Sequence, residues 1–134
     1  MNLANAGIYL WLILYPINVP IKDNLELERT WFKFDKIEEC VEYADESDFI
    51  FQKIKEKDRW DWVFALCLNP MNGQRTYILP TYQISESNPT GSTPIEMQDA
   101  IVGFEKVMIE TIIPTITGIK PKHVPKKKFI FKSY

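Results

Sequence analysis

Apolar residues occupy both faces of the first patterned stretch of this chain, residues 7–15. In a strand, successive side chains point to opposite faces, so the aliphatic even-numbered residues would share one face. The opposite face would then carry Tyr9, Trp11, Ile13 and Tyr15. A strand buried on one side only would show polar residues at every second position. This strand is therefore expected either in a two-sided core or beneath some further cover on its second face.

The spacing of apolar residues predicts a helix over residues 35–46. Asp35 with Glu38 three residues later resembles a capping box, and apolar residues recur at i, i+3, i+4 and i+7 from Ile37. The remaining surface of this helix is acidic, with Glu38, Glu39, Glu42, Asp45 and Glu46. A cap at Asp48 would start a further helical turn.

A second helix is predicted to begin at Thr93. Thr93, Pro94 and Glu96 provide an N-cap, a proline at the first helical position and a glutamate at the third. The apolar stripe that follows should end or kink near Pro114, with Gly118 as a stop.

A hairpin is predicted between these two helices. Residues 60–68 and 75–84 are strand-like runs, and Asn72 with Gly73 is the favoured pair of a two-residue type I′ turn. That turn would place Leu68 opposite Tyr77. Pro80 predicts a bulge or an early end of the second strand, because proline cannot donate a ladder hydrogen bond.

The resulting order is β-α-β-β-α-β, which predicts an α+β, ferredoxin-like domain with an antiparallel sheet and two helices on one face. Residues 22–34 are interpreted as a linker with an optional short strand at 29–34, and residues 128–134 as a last edge strand. We expect one domain over residues 1–119, followed by a basic tail or edge strand over 120–134.

With both helices on one face, the other face of the sheet would be open and apolar. Such a surface is expected to be covered by a second subunit, a ligand or a partner. The candidate interface residues are Tyr9, Trp11, Ile13, Tyr15, Trp60 and Trp62. A base-stacking platform would need basic residues among these aromatics, and only Arg59 and Arg75 are near.

Charge is distributed unevenly along the chain. The last fifteen residues carry six of the 16 Lys and Arg residues and none of the 18 Asp and Glu residues. The six are Lys120, Lys122, Lys126, Lys127, Lys128 and Lys132. We expect this tail to lie on an acidic surface, either the 35–46 helix of its own subunit or that of a neighbour.

Side chains suited to catalysis are scattered. His123 lies in the lysine-rich tail, and Cys40 and Cys67 are interpreted as buried thiols, which favours a reducing, cytoplasmic location or an assembled particle. The carboxylates of the acidic helix are candidates for chelating a hard cation or for simple solvation of the helix. Asp58 and Asp61 are candidates for a two-carboxylate metal site, but the sequence places no third acidic ligand. No cofactor, no metal and no membrane span are predicted.

These observations favour a non-catalytic assembly or protein–protein interaction subunit that associates with itself through the aromatic sheet face, with a basic C-terminal arm. Small ring components of virions or secretion machines fit that description by association. One alternative is a nucleic-acid-binding protein that uses the basic tail, although an acidic body would repel a duplex. Another is an acidic-surface inhibitor of a nucleic-acid enzyme.

Overall fold

A computed structural model describes residues 7–16, 26–56, 59–82 and 94–133 of the chain. It is an α+β structure with five strands in one mixed sheet, in the spatial order β2-β1-β3-β4-β5. The strands are β1 (Ile8–Pro16), β2 (Glu26–Phe34), β3 (Trp60–Leu68), β4 (Arg75–Pro80) and β5 (Lys128–Lys132). The helices are α1 (Ile37–Glu46), α2 (Phe49–Ile54), α3 (Pro94–Val107) and α4 (Ile113–Thr117), and the π-helical turn Met108–Ile112 joins the last two.

The ferredoxin-like prediction is wrong in its order of elements. Two strands precede the first helix, because the supposed linker contains β2, which pairs antiparallel with β1 along one edge. At the other edge β5 pairs parallel with β4, whereas the remaining neighbours are antiparallel.

Helices cover both faces of the sheet, which corrects the expectation of one open face. The even-numbered residues of β1 form one core with Ile37, Cys40 and Ala44 of α1 and Ile50 of α2. The opposite core joins Ile13 and Tyr15 to side chains of the helical run from α3 to α4. The apolar pattern of β1 on both faces therefore reflects a two-sided core within one chain.

The first helix keeps its predicted stripe but not its predicted cap. α1 has Lys36 at the N-cap position, with no side-chain cap hydrogen bond, so the expected role of Asp35 is wrong by one residue. Ile37, Cys40 and Ala44 are buried as the spacing predicts. α2 follows after Ser47 and Asp48, where the chain was expected to start a new helical turn.

The hairpin forms with a longer loop than the sequence predicts. Leu68 lies opposite Arg75, not Tyr77, and Leu66 lies opposite Tyr77. The backbone N–H of Asn69 donates to the carbonyl of Gln74, and Gly73 has a φ of 77°. A shift of two residues leaves each side chain on its predicted face, because the period of a strand is two. β4 ends at Pro80, as expected from the proline.

The helical run that begins at Pro94 passes through Pro114 and stops at Gly118. The π-helical turn precedes Pro114, and wider turns of this kind accommodate residues that break the regular hydrogen-bond ladder. Gly118 has a φ of 77° and donates its N–H to the carbonyl of Pro114, so it is the predicted stop. Thr93, the expected cap, lies outside the described residues. No helix in the described ranges is long and apolar enough to cross a bilayer.

Candidate functional site

Most of the predicted aromatic interface lies on the sheet face that the chain itself covers. Ile13 and Tyr15 are buried in the core with α3, and Trp11 and Trp62 are partly buried against the same core. Burial raises the pKa of Tyr15 to about 12. Tyr9 belongs to the same face by alternation, and the guanidinium carbon of Arg29 lies 4.5 Å from the centre of its ring.

Trp60 differs from the other predicted interface residues. It is buried in the core beneath α1 and α2, on the opposite face from Trp11. Its indole Nε1 donates a 2.9 Å hydrogen bond to Glu56. The structure therefore does not bring the six residues together into one surface.

A buried ionic cluster joins β4 to α3. Arg75 and Glu105 are only 5% and 8% exposed, and Arg75 Nε lies 3.0 and 2.9 Å from the two carboxylate oxygens of Glu105. The hydroxyl of Tyr77 donates a hydrogen bond to the same carboxylate. Sequence reasoning missed this cluster, because only the β4 register and the placement of α3 bring Arg75 and Glu105 together.

The cluster perturbs the titration of its members. Burial alone would lower the pKa of Arg75, but the hydrogen bonds and negative charge of Glu105 outweigh it, so the pKa is raised. Burial, with the charge and hydrogen bond of Glu105, holds the pKa of Tyr77 well above 10.0. The arrangement keeps Arg75 charged and Tyr77 neutral, which suits a structural role. We call the cluster of Arg75, Tyr77 and Glu105 the ionic clamp.

The same cluster also contacts the middle of the basic tail. Arg75 Nη1 donates a 2.7 Å hydrogen bond to the carbonyl of Pro125, and the Nζ of Lys127 lies 3.9 Å from Glu105. A Cβ on Gly73 would come within 2.7 Å of Val124, so the hairpin needs glycine where the tail crosses it. The tail is thus fixed to the side of the sheet that carries α3.

The other lysines of the tail have different surroundings. Lys120, Lys122 and Lys126 are exposed, as is His123. Lys128 and Lys132 belong to β5, and Lys128 lines a groove opposite α1. Among the described residues, an ion pair joins Lys127 to Glu105 of α3. The attachment of the tail to the acidic helix, of its own or a neighbouring subunit, stays a prediction.

The acidic helix borders this groove, which has a volume of about 690 Å³. Glu38, Glu42 and Asp45 line it, while Glu39 and Glu46 are exposed elsewhere on the helix. Its apolar lining includes Val41 of α1 and Ile130 of β5. The structure therefore brings one ridge of the acidic helix opposite β5 across an open groove.

Strand β2 presents the most exposed large apolar side chain of the described chain. Trp31 is 93% exposed, and its neighbour Phe32 is 38% exposed with its ring centre 4.7 Å from that of Tyr43. The pairing with β1 shifts register between Arg29 and Lys33, so β2 bulges at this point. A smaller groove of about 380 Å³ separates the bulge from α2.

The two cysteines form a disulfide, which corrects their interpretation as thiols. Cys40 of α1 and Cys67 of β3 are bonded, with their Cα atoms 5.9 Å apart, and neither residue is exposed. Their spacing in the sequence contains no signal for the bond, because the bond depends on how α1 packs on β3.

No group of three His, Cys, Asp or Glu side chains in the described ranges is placed to hold a metal ion. Asp58, one of the two carboxylates considered for metal binding, lies outside those ranges, and Asp61 is partly buried at the start of β3. Comparison with protein-family models, curated proteins and solved structures finds no match for this chain.

Proposed function

We propose that this chain is a non-catalytic assembly or interaction subunit that associates with copies of itself, and that its interface is the edge formed by β2. The single observation that carries the proposal is the 93% exposure of Trp31 at the bulge of that strand. Tryptophan is enriched among the residues that dominate protein interfaces, since its burial removes a large apolar area from water. The aromatic sheet face is not proposed again, because Ile13 and Tyr15 lie inside the core.

The position of β2 supports a second copy as the partner. β2 is an outer strand of the described sheet, so one side of its backbone faces away from β1. Two copies of such a strand can approach antiparallel about a two-fold axis, and a two-fold interface closes without generating a filament. The bulge limits continuous backbone pairing, so side-chain packing around Trp31 would supply most of the contact.

The Cys40–Cys67 disulfide supports an oxidising environment for the assembled protein. Disulfides persist outside the reducing cytoplasm, and this one joins two elements of the core. Of the two locations that the sequence favours, an assembled particle exposed to oxidising surroundings fits this bond better than the cytoplasm.

Light scattering after size exclusion tests the proposed self-association. The wild-type chain should elute as a dimer or larger oligomer, and Trp31→Ser should shift it to a monomer. Met71→Ser is the matched control, because Met71 is also an exposed apolar residue but lies in the hairpin loop. The proposal fails if Trp31→Ser and the wild type have the same mass, or if Met71→Ser dissociates the assembly equally.

A second candidate function uses the basic tail to bind nucleic acid. The exposure of Lys120, Lys122 and Lys126 favours it, because these side chains are accessible to phosphates. Titration of the chain into a labelled duplex at increasing salt would show binding that falls steeply with salt. Replacement of these three lysines by glutamine should abolish that binding without changing the oligomeric mass.

A further inference from the structure

The groove between α1 and β5 is open because α1 covers only part of the sheet. α1 packs on the strands of the central sheet through Ile37, Cys40 and Ala44, and the disulfide from Cys40 fixes it to β3. β5 lies one strand beyond β4, so Thr76 and Ile130 remain on the groove lining. A volume of about 690 Å³ lies within the range of ordinary ligand pockets.

The charge of the groove is negative. Glu38, Glu42 and Asp45 follow one another at i, i+4 and i+7, so they form one ridge along α1. All three are exposed, and none of them forms an ion pair within the described ranges. Lys128 is the one basic side chain among the described residues that line the groove. A cationic group would therefore be attracted to the groove, and a phosphate would be repelled.

The opposite wall of the groove is the edge of a sheet. β5 is the last strand of the described sheet, and its pairing with β4 leaves its other side facing outward. On the sheet face away from the groove, Phe131 is 44% exposed and stacks on Phe129. Such an edge can accept an extended segment as an additional strand.

We propose that this groove binds an extended peptide segment of alternating basic and aliphatic residues, which adds to the sheet beside β5. Because strand side chains alternate, every second side chain of the segment would project on the sheet face that carries α1, beside Ile130 and toward the carboxylates of α1. The remaining side chains would lie beside Phe131 on the other face. This inference goes beyond the proposed self-association, because it uses the opposite edge of the sheet.

A capped, fluorescently labelled heptapeptide of alternating lysine and valine is the probe. Its anisotropy in the presence of the full chain should report saturable binding at low salt, weakened at about 0.5 M salt where exposed charges are screened. The combined variant Glu38→Gln, Glu42→Gln and Asp45→Asn should weaken binding roughly tenfold, since three exposed ion pairs would be lost. The matched control Glu39→Gln with Glu46→Gln removes two exposed carboxylates of the same helix that do not line the groove, and it should bind as the wild type.

A second peptide separates strand addition from simple charge attraction. The same heptapeptide with every backbone nitrogen methylated keeps its charge but loses all of its backbone donors, so it should bind much more weakly. Hydrogen exchange should show that the unmethylated peptide slows exchange in β5 but not in β2. Equal binding of both peptides, equal binding by the groove variant and the control, or no protection of β5 would each overturn the proposal.

Discussion

On one face of the sheet, Cys40 of α1 is joined to Cys67 of β3 by a disulfide, whereas on the other, Arg75 of β4 is paired with Glu105 of α3. The first attachment is covalent and lies among apolar side chains, so it depends on redox conditions and hardly on pH. The second is ionic and buried, so it depends on the presence of both charges. The two helices are therefore joined to the same sheet by contacts that are lost under different conditions: reduction breaks the first, and loss of either charge breaks the second.

The two attachments also position different surfaces. The disulfide fixes α1, and with it the acidic wall of the groove. The ionic clamp fixes the hairpin loop and Pro125, and with them the approach to β5, which is the other wall. A buried ion pair contributes little net stability compared with apolar packing, but it leaves one arrangement strongly favoured over unpaired alternatives. The positions of the two walls of the groove therefore depend on contacts on both faces of the sheet.

Breaking the ionic clamp should have the largest effect on stability. Glu105→Gln leaves Arg75 charged and buried without a counter-charge, so we expect a loss of about 3–5 kcal/mol in the free energy of unfolding. Denaturant titration measures this loss. Glu110→Gln is the control, because Glu110 is an exposed carboxylate on the same helical run, and it should change stability by less than about 0.5 kcal/mol. A loss below about 1 kcal/mol for Glu105→Gln would contradict the clamp.

Removing the Cys40–Cys67 disulfide should lower the free energy of unfolding somewhat less. Cys40→Ala with Cys67→Ala opens a loop with a sequence separation of 27 residues, for which we expect a loss of about 3.5 kcal/mol in the free energy of unfolding. The midpoint of thermal unfolding of the wild type should accordingly be lower with reductant than without it. The double variant provides the control, since reductant should not change its midpoint. An unchanged midpoint for the reduced wild type would mean that the bond does not fasten α1.

Alkaline pH should oppose the burial of Tyr15 and Tyr77 on the face that carries α3. The folded pKa of Tyr15 is about 12 against 10.0 in the unfolded chain, so the folded protein keeps a proton that the unfolded chain loses. The contribution of Tyr15 to the free energy of unfolding is complete below pH 10 and is lost as the pH rises toward 12. The loss is about 1.4 kcal/mol at about pH 11. Tyr77, whose pKa is also raised, acts in the same direction.

Tyrosinate absorbance and denaturant titrations at increasing pH measure this effect. Tyr15→Phe should make the loss of stability above pH 10 shallower, while Tyr82→Phe, at an exposed position, should leave it as in the wild type. If Tyr15 titrates in the ordinary range near 10, its burial in this core is wrong.

The sequence predicted which face of the sheet a strand residue occupies more reliably than which residue it pairs with on the neighbouring strand. It placed Leu68 opposite Tyr77, and although the two are not paired they do share one face, because alternation survives a register error of two residues. It underestimated β2, because an edge strand with polar residues such as Glu28 lacks the apolar pattern of a central strand.

The candidate surfaces needed information that local patterns do not contain. The apolar stripe of α3 does not determine which face of the sheet the helix covers, and in the structure it packs with Ile13 and Tyr15. The Cys40–Cys67 bond and the Arg75–Glu105 pair each join residues that are distant in sequence. The exposed Trp31 lies in a bulge of β2, and no turn residue marks that bulge in the sequence.

Hydroxyl-radical footprinting of the wild type at low and high protein concentration tests the central claim most directly. That claim is that the chain covers its own aromatic sheet face and associates through β2. We expect Trp31 to be labelled strongly in dilute solution and protected in concentrated solution, while Tyr15 and Trp60 stay protected in both. Strong labelling of Tyr15, or labelling of Trp31 that does not change with concentration, would contradict the claim.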